Sequence, residues 1–454
     1  MRVKPARWSY AVKVPAPRSL VAAPLRARVD SESAFTALFA GDEASFWLDA
    51  GAGAGAGWSL MGAGDIESDP DAVRSTSLTG SFPPAADGIP FHGGWVGWFG
   101  YEQGAAALGA PHAAVADGAW IAVTRALAID HRSGLVFALA LPDELDGWCA
   151  RAETALADGI RVPAPAPAPD LGEASARHTV AEYRDLIEQC RAAIERGDAY
   201  QLCLTTRFTV DRPADPFAVY RRLRAATPAH HGGYIRVGCR HLLSASPEQF
   251  LSVGSGTAST SPIKGTRPRG ADAEEDARLA EELRTDAKER AENVMIVDLM
   301  RNDLSHVGVP GTVRVDRLWE VESYPAVHQL VSAVSVTLRD GVTVGDLTEA
   351  TFPAGSMTGA PKLSAMTILH GLERGPRGVY SGCFGYVGVD GRADLAMVIR
   401  SVVIDDDATY VGAGGGITWL SRSAAEAAEV ATKARAPLAA LGARVPAEWA
   451  AVVD

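Results

Sequence analysis

Apolar side chains in the first third of the chain follow the short runs expected of strands. Runs at 120–123 and 135–139 flank the polar, glycine-containing segment 130–134, and two runs joined in this way are typical of a β-hairpin. The N-terminal part of the chain is therefore predicted to be mostly antiparallel sheet.

The pattern then changes to alternating helices and strands. Apolar positions recur with the 3.6-residue period of helices at 180–196, 273–286 and 424–440, and short apolar runs at 312–315 and 408–411 predict strands. The second part is therefore predicted to contain both kinds of element.

A segment of alternating proline and alanine at 162–169 separates these two parts. Such a segment forms neither a helix nor a central strand, and it is typical of a semi-extended linker. It predicts a β-rich region at 1–161, a linker at 162–177 and a second region at 178–454.

Composition narrows the class of protein. No apolar run reaches the roughly eighteen residues of a membrane span, and no charged-then-apolar leader is evident, so a cytoplasmic protein is expected. The five cysteines lack C-x-x-C spacing and are interpreted as reduced packing residues. The net charge of −12 argues against nucleic acid and against an anionic membrane as partners.

The segment Ser261–Thr266 holds a lysine in a restricted setting. Pro262 keeps the residue before it extended, and Gly265 allows the backbone to approach a ligand closely. An isolated lysine would be interpreted as a solvated surface charge. Lys264, between these neighbours, is instead a candidate for a functional amine.

This segment resembles the lysine motif of the aminodeoxychorismate synthase branch of the chorismate-utilising enzymes. Seven further segments resemble that family's motifs in the family's order, namely 200–204, 246–248, 291–303, 355–362, 377–382, 399–401 and 412–417. The chain is identified as a member of the family. The resemblance implies one α+β body in which large antiparallel sheets pack face to face with helices outside, and the linker crosses its surface.

Two glutamate pairs are candidates for a metal site. Glu289 and Glu292, and likewise Glu426 and Glu429, are three residues apart, so each pair lies on one face of a predicted helix. Oxygen donors suit Mg²⁺, which takes one or two carboxylates directly. The resemblance implies Glu292 and Glu429 as direct ligands and the other two as water-mediated supports. Lys433, one turn beyond Glu429, would partly offset their charge.

The resemblance also implies the substrate contacts. Chorismate is a dianion, so an acidic protein must build a local positive pocket for it. Arg400 and Tyr380 would hold the enolpyruvyl carboxylate, Thr358 would donate a hydroxyl hydrogen bond, and Thr266 would lie beside the substrate. The glycines at 412–416 follow a predicted strand and precede a helix, so they form either an anion-binding turn or a tight structural turn. With the family, Gly416 becomes a carboxylate-binding residue.

The implied chemistry is amination. Lys264 in its neutral form would attack C2 of chorismate while Glu248 protonates the departing C4 hydroxyl, and ammonia would then attack C4 and expel the lysine. Relatives that form anthranilate carry alanine in place of Lys264. Relatives that use water carry a lysine base at the position of Gln201, and glutamine cannot deprotonate water, so this chain should need an amine.

No cysteine has the G-x-C-x-G setting of a glutaminase, so a separate glutamine amidotransferase subunit is expected to supply ammonia, with free ammonium as a weaker substitute.

Three alternatives stay open: anthranilate synthase, an aminodeoxyisochorismate-type synthase, and a catalytically silent homologue that only binds. Cys203 and Gln329 depart from the family pattern without a clear consequence. Asp49 and Ala50 depart from it in the region that forms a tryptophan pocket in relatives, so tryptophan inhibition is not expected.

Overall fold

The structure is a computed structural model that describes residues 17–82, 87–113, 118–157, 162–213, 215–324, 327–405 and 408–453. The start of the chain, where a leader would lie, and the expected region boundary at residue 161 fall outside the described residues.

The helices are α1 (Ser31–Leu38), α2 (Pro70–Arg74), α3 (Tyr101–Ala107), α4 (Leu145–Ala157), α5 (Val180–Glu195), α6 (Pro216–Ala226), α7 (Ala273–Thr285), α8 (Ala287–Ser305), α9 (Val344–Thr351), α10 (Lys362–Glu373), α11 (Ser423–Leu441) and α12 (Ala447–Ala450), with a 3-10 turn at Gly355–Met357. None of them, within the part of the chain described, combines the length and apolar character needed to cross a bilayer.

The strands are β1 (Val21–Leu25), β2 (Ala44–Asp49), β3 (Trp58–Ile66), β4 (Gly94–Phe99), β5 (Ala119–Asp130), β6 (Leu135–Ala140), β7 (Gly172–Glu173), β8 (Ser175–Ala176), β9 (Gln201–Val210), β10 (His231–Val237), β11 (Arg240–Ser246), β12 (Gln249–Gly254), β13 (Thr257–Thr260), β14 (Ile263–Pro268), β15 (Arg314–Ser323), β16 (Val327–Thr337), β17 (Gly359–Ala360), β18 (Cys383–Gly388), β19 (Ala393–Met397), β20 (Ser401–Ile404), β21 (Thr409–Ile417) and β22 (Ala443–Arg444).

The sequence-based elements are confirmed with two differences at their ends. The three predicted helices correspond to α5, α7 and α11, and the predicted hairpin is the antiparallel pair β5–β6. The run at 312–315 enters a strand only at Arg314, because Thr312 closes a turn by donating its N–H to the Val309 carbonyl. The run at 408–411 continues as β21 to Ile417, so the glycines at 412–416 lie inside a strand rather than in a turn.

Strands from the two halves of the chain pair directly. β2 runs antiparallel to β10, with Phe46 opposite Ile235, and β4 runs antiparallel to β18, with Phe99 opposite Cys383. Together β1–β6 and β8–β21 form one hydrogen-bonded network, and β7 pairs with β22 in parallel. The expected α+β fold with a large antiparallel sheet is confirmed.

Both faces of the inner strands are buried. Successive side chains on a strand point to opposite faces, and accordingly Phe46 belongs to one buried cluster while Trp47 belongs to another. The first cluster combines side chains from strands of both halves, such as Val96 of β4 and Val334 of β16, so these strands pack against each other through it. The second cluster lies under the outer helices α1, α4, α5, α6, α10 and α11.

Two helices carry acidic residues to the same place. α8 packs against β14 and β16, and α11 packs against β21. The Asp286 carboxylate caps α8 by accepting the N–H groups of Lys288 and Glu289 at 2.9 and 3.1 Å. Arg422, at the capping position just before α11, makes no side-chain hydrogen bond to the first turn of the helix. Packing of the apolar face of α11 must therefore hold that end of the helix.

A buried ion pair connects elements that are distant in sequence. The Arg377 guanidinium donates to both carboxylate oxygens of Glu373, at 2.6 and 2.8 Å, and also to the carbonyls of Met357 and Cys203. Its side chain is 1% exposed and lies 4.3 Å from the centre of the Tyr101 ring. One side chain thereby joins α10, the 3-10 turn, β9 and α3.

Replacing Arg377 by methionine is expected to destabilise the protein by about 3–5 kcal/mol, because Glu373 would be left as an unpaired buried charge. Urea unfolding followed by circular dichroism measures this change. Arg284→Met is the matched control, since it removes the same group from an exposed helical pair with Glu281 and should change stability far less. Equal losses in the two variants would contradict the structural role of Arg377.

Candidate active site

A cavity of about 550 Å³ opens between β14, β21, α8 and α11. It gathers most of the residues that sequence reasoning selected from separate motifs. The selected residues on its lining are Glu248, Lys264, Thr266, Glu289, Glu292, Tyr380, Arg400, Gly416, Glu426, Glu429 and Lys433. Gln201 and Thr358 are not on the lining.

Lys264 reaches the cavity from an irregular strand. The pairing of β14 with β16 shifts register between Lys264 and Thr266, and Gly265 between them has φ of +77°, a conformation that favours glycine. A Cβ at Gly265 would lie 2.7 Å from a methyl of Leu283 and 3.0 Å from the Glu289 side chain. The glycine therefore lets α7 and α8 approach the strand.

The Lys264 ammonium is available to a ligand. Among the described residues, no carboxylate oxygen lies within 4.0 Å of the Lys264 nitrogen, the limit for a salt bridge. The charge of Lys264 nevertheless lowers the pKa values of both Glu248 and Glu429. Its amine is therefore near acidic groups without being paired to one of them.

Glu248 is a buried carboxyl that faces the same cavity. Its backbone is fixed by the Ser246 hydroxyl, which accepts its N–H at 3.3 Å, and by the Met397 N–H, which donates to its carbonyl at 3.0 Å. Burial raises the pKa of the Glu248 carboxyl, and this outweighs the opposite effects of the Lys264 charge and of a hydrogen bond with Ser356. A carboxyl in this environment can hold a proton and deliver it.

The four selected glutamates form one acidic cluster across α8 and α11. Burial raises the pKa of Glu289, and the neighbouring charge of Glu292 raises it further. Burial likewise raises the pKa of Glu426, against a 2.8 Å hydrogen bond from the Ser421 hydroxyl. Burial alone would raise the pKa of Glu429 as well, but the Lys433 ammonium at 2.7 Å lowers it. The cluster thus concentrates negative charge that favours a cation.

The donor set fits a hard divalent cation. Within the described ranges, no three acidic, histidine or cysteine side chains converge closely enough to form a metal site by themselves. Mg²⁺ does not require that arrangement, because it commonly takes one or two carboxylates and keeps water or substrate oxygens in its remaining positions. One carboxylate from each helix with water between them would satisfy this chemistry.

Another part of the cavity lining is suited to an anion. Arg400 has φ of +53°, a conformation that costs a non-glycine residue about 1–3 kcal/mol and is often found at functional sites. Burial lowers the pKa of its guanidinium, against the influence of Tyr380 and Glu429. A Cβ at Gly412 would overlap the Tyr380 ring, so this glycine of β21 is needed for the tyrosine to pack there.

Gln201 of β9 lies against the glycine strand β21. It is 1% exposed, and neither its amide oxygen nor its amide nitrogen has a hydrogen-bond partner among the described residues. The nitrogen lies 2.7 Å from where a Cβ of Gly416 would be. Gly416 is paired opposite Cys203 in the sheet, so the glycine brings the cavity wall close to an unsatisfied amide.

The loop before β17 presents a different hydroxyl from the one selected by sequence. The Thr358 hydroxyl is fully buried and donates to the Ala354 carbonyl at 3.1 Å, whereas Ser356 lines the cavity and contacts Glu248. Both stand in the same motif, so only the turn geometry distinguishes them. Lys288 and Gln329 also line the cavity without having been selected, and the four-residue spacing from Lys288 to Glu292 was the available signal for the first.

A second cavity of about 310 Å³ lies between N-terminal residues, among them Asp49, Ala50 and Trp58, and residues of the second region such as His231 and Tyr386. Asp49 is not free within it, because the Arg224 guanidinium contacts its carboxylate at 2.5 Å and the Ser59 hydroxyl donates to it at 3.2 Å. A pocket therefore exists in this region, with its carboxylate already paired.

Comparison with known proteins places the chain among chorismate-binding enzymes. A sequence model of chorismate-binding enzymes matches residues 26–439. The chain is 39% identical to an aminodeoxychorismate synthase of Streptomyces pristinaespiralis, over 91% of the chain and 64% of that relative, so it spans less than two thirds of the relative's length. It is 38% identical to anthranilate synthase component 1 of Streptomyces coelicolor, over 91% of the chain and 86% of the relative. The solved structure of anthranilate synthase component I from Streptococcus pneumoniae TIGR4 has a TM-score of 0.70 at 27% identity, covering 95% of this chain and 94% of that one.

The raised pKa of Glu248 predicts a pH-dependent contribution to stability. The folded protein holds this proton more tightly than the unfolded chain, so the contribution is complete below pH 4.5 and is lost as the pH rises through the folded pKa. Glu248→Gln cannot titrate. The unfolding free energy of the wild type minus that of the variant should therefore fall as the pH rises above 4.5, as measured by urea unfolding. A difference that stays constant or rises would show that Glu248 is not held in its protonated form.

Proposed function

The chain belongs to the family of chorismate-binding enzymes, and from this premise we propose that it aminates chorismate at C4 to form 4-amino-4-deoxychorismate. The observation that carries the proposal is the presence of Lys264 and the buried Glu248 on one cavity. A candidate nucleophile and a candidate proton donor thus face the same space, between an acidic cluster and an arginine.

The charges of the cavity suit the two carboxylates of chorismate. Arg400 and the Tyr380 hydroxyl would bind the enolpyruvyl carboxylate, since a guanidinium offers planar paired donors. The backbone of Gly416 would add a hydrogen bond at the cavity wall. Thr266 at the exposed end of the lysine motif would border the substrate. This arrangement orients C2 of the ring toward Lys264 and the C4 hydroxyl toward Glu248.

Glu292 and Glu429 would hold Mg²⁺ directly, and Glu289 and Glu426 would support it through water. When bound there, Mg²⁺ supplies positive charge to the ring carboxylate and so favours addition to the conjugated ring. The carboxylates of two helices hold the cation side of the cavity, and Lys433 keeps Glu429 in its charged form. Each of the two carboxylates of the substrate would thereby face a positive charge.

The reaction would proceed in two displacements. The neutral amine of Lys264 forms a bond to C2, both ring double bonds shift by one position, and the C4 hydroxyl leaves as water with the proton of Glu248. Ammonia then forms a bond to C4, both double bonds shift back, and the Lys264 amine leaves C2. The Glu248 carboxylate accepts the proton that ammonia releases. Chorismate and ammonia give the amino product and one water.

Two chain-specific residues favour this outcome over its alternatives. Anthranilate synthase is the closest competitor, since the identity to such an enzyme is nearly as high, but its relatives carry alanine where this chain has Lys264. Gln201 provides no base for water, which argues against hydration of C2. An aminodeoxyisochorismate-type synthase, which aminates C2, is a further alternative. A silent binding homologue would not need Lys264 and Glu248 on the same cavity.

Ammonia would come from a separate glutamine amidotransferase subunit. The support is that none of the five cysteines stands in the G-x-C-x-G spacing of a glutaminase nucleophile, and that relatives named as a component 1 imply a second component. The product would serve the formation of p-aminobenzoate, for folate or for a specialised aromatic metabolite.

The product assay tests the function itself. The purified chain with chorismate, Mg²⁺ and ammonium at alkaline pH should form 4-amino-4-deoxychorismate, detected by chromatography and mass spectrometry, because unprotonated ammonia can enter the cavity directly. Glutamine alone should give no product. Anthranilate as the main product would replace the proposal with its first alternative, and turnover with glutamine alone would disprove the need for a partner.

The role of Lys264 is tested by two substitutions and one adduct. Lys264→Ala should lose most C4 amination, and residual activity should move toward C2. Lys264→Arg should be equally impaired, because arginine keeps the cation but is not a usable nucleophile. Intact-protein mass spectrometry with chorismate and Mg²⁺ but no ammonia should show a mass increase equal to one chorismate minus one water, on the wild type alone. An active arginine variant together with no adduct would refute the covalent step and leave the product assignment standing.

A further inference from the structure

Lys288 lies at the rim of the cavity, on the first turn of α8, and the chemistry above gives it no role. Its side chain is 51% exposed, and its ammonium nitrogen lies 3.6 Å from Glu292 Oε1. Burial opposes its charge, but the carboxylates of Glu292, Glu426, Glu289 and Glu429 together raise its pKa. One flexible ammonium is therefore within electrostatic reach of the whole acidic cluster.

Lys433 provides an informative contrast on the facing helix. Its ammonium contacts Glu429 Oε1 at 2.7 Å and also donates to the Gly414 carbonyl at 2.9 Å. Its side chain is 27% exposed, about half the exposure of Lys288. Two short contacts fix Lys433 in place, whereas the Lys288 ammonium has a single long contact within the described part of the chain and a path into solvent.

Four carboxylates share the cluster, and the positive side chains in contact with them are Lys288 at Glu292, Lys433 at Glu429 and Arg267 at Glu289. Glu292, the carboxylate proposed as a direct ligand on α8, is also the one that Lys288 contacts.

We infer that Lys288 is a movable counter-ion of the acidic cluster, which competes with the divalent cation for Glu292 and so sets the affinity of the site. This inference rests on the proposed metal site. An exposed lysine can release a carboxylate and extend into water at little cost, because its apolar stem can stay on the surface while the charge is solvated. Lys433 remains in place when the cation binds.

The inference predicts opposite effects of Lys288→Gln on stability without cation and on Mg²⁺ affinity. Without added cation the variant should be less stable than the wild type, because the carboxylates lose one counter-ion. With the competitor gone, it should bind Mg²⁺ more tightly, by about two- to fivefold, which is the range expected for a partly exposed ion pair. Lys288→Arg, which keeps the charge, should remain close to the wild type in both respects.

Direct binding measures this without turnover. Calorimetric titration with Mg²⁺, paramagnetic resonance with Mn²⁺ and thermal unfolding with and without Mg²⁺ are applied to the wild type and to both Lys288 variants. Arg301→Gln is the matched control: it removes one exposed positive charge from the same helix, nine residues beyond Glu292 and so about 13 Å away along the axis. That distance exceeds the screening length at physiological salt, and cation binding should not change.

Resonances of the lysine side chains separate competition from a general charge effect. In ¹³C spectra assigned with Lys288→Arg and Lys433→Arg, the Cε signal of Lys288 should shift more than that of Lys433 when Mg²⁺ is added, because Lys288 leaves its carboxylate whereas Lys433 keeps its contacts. Unchanged or weaker Mg²⁺ binding in Lys288→Gln, or a Lys288 signal insensitive to Mg²⁺, would overturn the inference. A wild type that binds neither cation would instead refute the metal site on which the inference rests.

Discussion

The buried pair of Arg377 and Glu373 is the interaction on which the cavity depends. Its guanidinium holds the carbonyl of Met357 from the loop that carries Ser356, and the carbonyl of Cys203 from the strand behind the cavity. Glu373 in turn accepts the N–H of Thr205 on the same strand. Two charges removed from water are costly unless every donor and acceptor is satisfied. These bonds meet that requirement, and they fix the loop relative to the strand.

The same region positions the residues that follow Arg377 in sequence. Glu102 of α3 accepts the backbone N–H groups of Arg377 and Gly378 at 2.8 and 2.9 Å, which fixes the chain immediately before Tyr380. The ring of Tyr380 then packs on the glycine strand, where Gly412 leaves space for it. The buried ion pair and its hydrogen bonds are thereby joined to a cavity whose lining carries both acidic and basic side chains. An acidic protein can hold a dianion only through such local separation of charge, since its net field repels the substrate.

Local motifs were readable from sequence, and their surroundings were not. The restricted setting of Lys264 was inferred from Pro262 and Gly265, and the pairing of the glutamates on one helical face was predicted from their three-residue spacing, but the register shift at Gly265 was not predicted. That Ser356 rather than Thr358 lies on the cavity wall depends on the geometry of a turn, in which the Thr358 hydroxyl donates to the Ala354 carbonyl. The inclusion of 412–416 in a strand depends on pairing with β9, more than two hundred residues earlier. Lys288 gains its significance only from Glu426 and Glu429 on another helix.

The fold by itself does not select a product. Enzymes named for anthranilate and for aminodeoxychorismate are similar to this chain at almost the same identity, so the difference between products must arise from few side chains on a shared frame. The cavity combines an acidic cluster on α8 and α11 with the cationic side chains of Lys264 and Arg400. Under the proposed mechanism, a nucleophile inside the cavity would change the outcome, because it would occupy C2 before ammonia arrives and leave C4 as the carbon open to attack. Lys264 is the residue proposed for that step, and the irregular strand with Gly265 beside it allows a lysine to stand on the cavity wall.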